Sequence, residues 1–164
     1  MSNLVANKSW HAGMMFAKTA HGGPAEMAEL PVAASQTIIV GDPLTMSSGE
    51  LSKATDASTE IAGVSAANVT TTAADEKTVC SFWKSTPGNI FIARADAATN
   101  TINEGAKPGI RTNGGFWYID IGDDNATNVV NVLEHVSGDD ETDATYWGRL
   151  YFIWNRTPWI QTNA

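Results

Sequence analysis

The sequence predicts an all-β fold: a small antiparallel β-sandwich or barrel, with an extended N-terminal arm over residues 1–30 and an added C-terminal β region over residues 110–164. Three observations carry that expectation. Apolar runs are short and rich in β-branched or aromatic residues, as in Ile38-Ile39-Val40 and Phe116-Trp117-Tyr118, the types that fit a pleated, half-buried surface. Turn-forming residues interrupt these runs about every eight to twelve positions, the spacing of sandwiches and barrels and not of alternating strands and helices. Charged residues make up only 17% of the chain, below the ~25% of an average globular protein; Ala, Thr, Ser, Asn and Gly are abundant instead, a mixture suited to thin strands, many turns and surfaces that meet other protein.

In chain order, residues 1–30 hold Leu4, Trp10, Met14, Met15 and Phe16 without sustained helical or strand periodicity, and Gly22-Gly23-Pro24 breaks any element there. Such a segment either folds back on its own core or acts as an arm whose apolar anchors dock on a neighbour, since a mobile terminus would leave them in water. The arm reading makes Leu4, Trp10, Met14, Met15 and Phe16 partner-binding residues. From Pro31 the strand-and-turn pattern begins. Strands are expected at Ile38 to Val40, Leu44 to Met46, Leu51 to Ala54, Ile61 to Ala67, Thr78 to Lys84 and Ile90 to Ala95. Gly41-Asp42-Pro43 and Pro87-Gly88-Asn89 mark turns between them, and Gly49 marks a hairpin tip.

Residues 95–115 read as loops, with room for one helical turn at Ala95 to Thr99. Three aromatic or β-branched strands follow, at Phe116 to Ile121, Asn128 to Val136 and Tyr146 to Trp154. In the last, Leu150, Phe152 and Trp154 share one face while Trp147, Arg149, Tyr151 and Ile153 share the other. Both faces are substantially apolar, which places this strand at the centre of a sandwich or in a subunit interface.

At 164 residues, one domain over residues 31–164 is long enough to bury roughly 70% of its unfolded surface and needs neither disulfide nor metal to fold. The net charge of -8 opposes a phosphate-binding surface, because nucleic-acid affinity rests on Lys and Arg displacing counterions; no nucleic acid is expected as partner. Three arginines stand against eight acids in residues 111–164, so the acidity is concentrated in the C-terminal third. Cys80 is the only cysteine, which fits synthesis in a reducing cytoplasm, and its alternation with Phe82 makes it a buried small hydrophobe. No run approaches 18 apolar residues and no signal peptide is visible, so no membrane is expected.

The chemistry-bearing residues form no reaction centre, and the expectation is a protein without enzymatic activity or cofactor. His11, His21 and His135 lack metal-ligand spacing. Asp123-Asp124-Asn125 and Asp139-Asp140-Glu141-Thr142-Asp143 offer oxygen ligands of the kind calcium takes, without the EF-hand spacing, and read as exposed hairpin tips. No serine elbow or phosphate-cradling glycine loop occurs. Trp117, Trp147, Trp154 and Trp159 are of a type that stacks on sugar rings or, more commonly, packs a core.

The stretch Pro31-Val32-Ala33-Ala34-Ser35-Gln36-Thr37-Ile38-Ile39-Val40-Gly41-Asp42-Pro43, the hairpin Gly49-Glu50-Leu51-Ser52-Lys53-Ala54-Thr55-Asp56 and the strand Ile61-Ala62-Gly63-Val64-Ser65 resemble the capsid cement, or head decoration, proteins of tailed bacteriophages. The likeness covers residues 31–95. It implies a β-tulip-like core, attachment to the outside of the expanded head through the major capsid protein, and a homo-oligomer, commonly a trimer. It supplies no role for the aromatic region from Phe116 to Trp159, and such proteins are often shorter. Two functions follow as expectations: a structural protein that stabilises a phage head by bridging capsomers, or a carbohydrate- or receptor-binding module of a fibre or adhesin that uses Trp147, Trp154 or Trp159 as stacking platforms.

Overall fold

The computed structural model describes residues 13–74, 78–124, 128–136 and 148–159. These residues form an all-β, antiparallel architecture of open sheets. The strands are β1 (Met15–Thr19), β2 (Met27–Pro31), β3 (Thr37–Ile38), β4 (Pro43–Ser47), β5 (Glu50–Lys53), β6 (Gly63–Ser65) and β7 (Val69–Thr70). They continue with β8 (Val79–Lys84), β9 (Asn89–Arg94), β10 (Pro108–Asn113), β11 (Phe116–Asp124), β12 (Val130–His135) and β13 (Arg149–Trp154). The only helical turn among the described residues is a 3-10 turn at Thr99–Thr101, beyond the position expected for it. No described helix is long and apolar enough to cross a membrane.

Two main sheets organise the molecule. The first has the order β1-β9-β13-β12 and the second β2-β8-β6-β4-β5, with the smaller pairs β10-β11 and β3-β7 beside them. Between the two main sheets lies the larger core. It is built from Met14, Phe91, Ala93, Val130, Val132, Leu150, Phe152 and Trp154 of the first sheet and its lead-in, Ile61 and Val64 of the second sheet and its lead-in, and Ile110, Trp117 and Ile119 of the β10-β11 pair. Edge-on aromatic contacts knit it together: Phe152 and Trp154 lie 5.1 Å apart at 88°, and Phe91 meets Trp154 at 5.9 Å, a geometry the ring quadrupoles favour.

The second core lies on the opposite face of the five-stranded sheet. Cys80, Phe82, Leu44 and Leu51 bury there against Val32, Ile38 and Val69. Alternation within β8 explains why one strand serves two cores: Cys80 and Phe82 point one way, whereas Trp83, paired with Val64, packs with the larger core. The sheet curls until Val32 and Leu51 meet in an isolated parallel bridge, but it stays open, so the sandwich form of the expectation holds and the closed barrel does not.

Two short hairpins close as their sequences require. Ser48 and Gly49 both have positive φ, at 51° and 82°, as do Gly114 and Gly115, at 60° and 83°. Two consecutive left-handed residues form the turn whose twist matches the flanking strands. Gly63 lies inside β6, where β8 passes closely. A Cβ there would lie 2.6 Å from Cδ2 of Phe82 and would also strike the Trp83 carbonyl.

The separate N-terminal arm is corrected over its described part. Residues 13–30 are woven into the domain: β1 pairs with β9 and β2 pairs with β8. The C-terminal strands are likewise no appended layer, since β12 and β13 supply half of the four-stranded sheet. Residues 95–115 were expected to be loops, but Pro108–Asn113 form a strand through six paired positions with β11. Ile38 ends its strand early because the Ile39 amide turns to donate to Oδ2 of Asp42 at 2.9 Å.

Candidate functional site

Alternation along β1, β9 and β13 produces one face that belongs to neither core. Phe91 and Ala93 point into the larger core, so Ile90, Ile92 and Arg94 point outward. The same reasoning turns Arg149, Tyr151 and Ile153 outward from Leu150, Phe152 and Trp154. Met15 lies between Met14 and Phe16, which pack with the core, and therefore joins the outer face. Cross-strand pairing lines these residues up: Met15 with Ile92, and Ile92 with Tyr151. Ile92 is only 7% exposed yet belongs to neither core.

A polar crossing spans this apolar strip. Lys18 stands on β1 and Glu134 on β12, the two outermost strands of the sheet, and their side chains meet at 3.0 Å. The Lys18 ammonium also sits 4.6 Å from the centre of the Tyr151 ring, within reach of its negative face. Both charged side chains are about half exposed, at 51% and 50%, so the pair is weakly held and separable. The arrangement is an apolar centre of Met15, Ile90, Ile92, Tyr151 and Ile153 crossed by one breakable ion pair, with Arg94 and Arg149 opposite each other at one end. Apolar centres with charged surroundings characterise surfaces that bind protein.

The five residues expected to bind a partner separate in the structure. Met14 is fully buried and corrected to a core residue, its amide donating to the Gly41 carbonyl at 3.1 Å. Phe16 is half-buried, stacked on Trp83 at 6.1 Å and edge-on to Phe91 at 6.5 Å, so it too stabilises the domain from inside. Met15 faces outward. Leu4 and Trp10 lie outside the described residues. The sequence reading missed Ile92, Lys18 and Glu134, although the two apolar faces of the strand containing Tyr151 pointed to this sheet.

Other candidates resolve into structural roles. Asp42, 1% exposed, accepts from the Trp117 indole at 3.1 Å and pairs with Lys53 at 2.9 Å, so its charge is compensated where burial alone would be costly. Cys80 is buried beside the Ser65 hydroxyl at 3.2 Å; burial raises its pKa, outweighing the lowering by Ser65, and the thiolate a nucleophile needs is disfavoured. His135 Nε2 lies 3.1 Å from the Ile102 carbonyl. Trp117 and Trp154 are buried and Trp159 stacks on Phe82, so none of the three presents an open platform to a sugar; Trp147 lies outside the described residues.

Acidic groups gather near β10 and β11. Burial first, and then the charge of Asp96, raises the pKa of Asp120, against the opposing effect of Arg111. Asp96 receives both the Arg111 guanidinium at 3.1 Å and the Ile121 amide at 2.9 Å. Asp123 and Asn128 border a cavity of about 210 Å³ together with Asp56, Ser58 and Thr59. Among the described residues no three His, Cys, Asp or Glu side chains are placed to hold a metal ion; the acidic stretch at residues 139–143 lies outside them. No protein-family model matches the chain, nor does any curated protein or solved structure.

Proposed function

We propose that the protein is a structural binding module that attaches to a protein shell, as a capsid cement or decoration protein of a tailed phage, through the outer face of the β1-β9-β13-β12 sheet. The observation that carries this reading is the apolar strip of Met15, Ile92 and Tyr151 crossed by the half-exposed Lys18–Glu134 pair. A major capsid protein surface with an apolar knob and one charge of each sign complements it, and separating the weak pair would give each charge a new partner on docking. The resemblance of residues 31–95 to head decoration proteins supplies the class of shell. Several copies engaging neighbouring capsomers at once, as a trimer would, convert modest single contacts into durable attachment.

The test uses undecorated expanded capsids of the phage that encodes the chain. Purified protein is expected to sediment with them and to raise the temperature at which they disrupt. A Tyr151→Ala, Ile153→Asp variant with an unchanged circular dichroism spectrum is expected to lose both effects. Full binding and full heat protection by that variant would remove the outer face from the reading. Failure of the native protein to bind any capsid form would remove the shell itself.

A further inference from the structure

The last described residues form no strand, yet they connect the two cores. After β13 ends at Trp154 in the larger core, the Asn155 amide donates to the Val129 carbonyl at 2.6 Å, and the Arg156 carbonyl accepts from the Ile61 amide at 3.1 Å. The buried Ser85 hydroxyl donates to Oγ1 of Thr157 at 2.7 Å. Trp159 then reaches the second core. Its indole N–H donates to the Ala62 carbonyl at 2.6 Å, its ring stacks on Phe82 at 6.1 Å and 25°, and the Lys84 ammonium lies 4.6 Å from the ring centre.

We propose that residues 157–159 are a releasable clasp, holding shut one end of the second core while the larger core keeps its structure when the clasp lets go. The two cores differ in how they are enclosed. The larger one is sandwiched between two sheets, whereas the second is covered by the two-residue strands β3 and β7, Val32 and the half-buried Trp159. Among the described residues this clasp is attached through the Thr157 hydroxyl, the Trp159 indole N–H and the Trp159 ring, without a strand ladder, and such segments open at lower free energy than paired strands. Release would uncover Phe82 and loosen the seat of Cys80, its neighbour on the same face of β8.

Cys80 is a built-in reporter, since it is the only cysteine and is fully buried in the second core. The experiment measures its labelling by a small thiol reagent in native conditions, alongside amide exchange in β9 and β13. In Trp159→Ala, labelling is expected to accelerate about tenfold or more, as loss of a buried hydrogen bond and a stacked ring implies, with amide protection in β9 and β13 within about twofold of native. Trp159→Phe keeps a ring over Phe82, loses the N–H, and is expected to fall between the two. If Trp159→Ala does not fold, Trp159→Phe carries the test, and native-rate labelling in it then overturns the clasp. Unchanged labelling in Trp159→Ala overturns it as well. So does acceleration matched by an equal loss of protection in β9 and β13, because the two cores then open as one unit.

Discussion

The Trp117 indole donates to Oδ1 of Asp42 at 3.1 Å across 75 positions of sequence. Through this carboxylate the β10-β11 hairpin, the turn before β4 and Lys53 at the end of β5 are tied to one point. Asp42→Ala is expected to destabilise the fold by about 2–4 kcal/mol, because it strands the indole N–H and the Ile39 amide and leaves Lys53 without its partner. Trp117→Phe removes one donor and is expected to cost less than Asp42→Ala. Chemical denaturation of both single variants and the double variant would measure the coupling; independent, additive effects would contradict a shared role.

Gly63 has no space for a side chain. Gly63→Ala is expected to cost at least about 1–3 kcal/mol, since a buried methyl must displace the β8 backbone. Thermal unfolding provides the check, and a melting temperature equal to native would show that β6 and β8 can separate at little cost.

The two faces of the β1-β9-β13-β12 sheet should differ in how much they contribute to stability. Phe152→Ala, inside the larger core, is expected to lower stability by about 3–5 kcal/mol. Glu134→Ala breaks only an exposed ion pair and is expected to change stability by less than about 1 kcal/mol, while altering the salt dependence of any docking on the outer face. Urea titrations of the two variants side by side make the comparison.

Asp120 sets a pH signature. Its carboxyl titrates above the ordinary value because burial and the neighbouring Asp96 disfavour the charge. The folded protein therefore holds this proton more tightly than the unfolded chain. That contribution is fully present below the ordinary carboxyl value of 3.8 held by the unfolded chain and is lost as pH rises through the folded pKa. Asp120→Asn should leave the melting temperature near native in acid and raise it relative to native at neutral pH. A difference independent of pH would assign the effect to packing alone.

β4, β5, β6, β8 and β9 were legible because each carries its own signal, short apolar alternation bounded by Gly, Pro or Asn, whereas the two-residue β7 is too short to carry one. β1 was not legible. Its residues Met15-Phe16-Ala17-Lys18-Thr19 contain a register shift between Phe16 and Lys18, and one extra residue erases the two-residue period on which strand recognition depends. β10 escaped for another reason: Pro108, Gly109 and Asn113 are of types depleted in strands, and their conformation comes from pairing with β11. The outer face of the four-stranded sheet was half legible. The outward Tyr151 and Ile153 could be read from β13 alone, but Lys18 and Glu134 stand 116 positions apart, and only the order of strands in the sheet brings them together.

The order β1-β9-β13-β12 sets a timetable for synthesis. The five-stranded sheet uses residues 27–84 only, so all its strands have been made before β9 appears. The four-stranded sheet begins with β1 and needs β13 at its centre; at roughly 5–20 residues per second, β13 follows β1 by on the order of ten seconds. During that interval Met15, Phe16 and Phe91 belong to a nascent chain whose sheet is incomplete. The four-stranded sheet can close only after Trp154 has been made, and a ribosome stalled before Arg149 would hold out an unfinished, aggregation-prone edge.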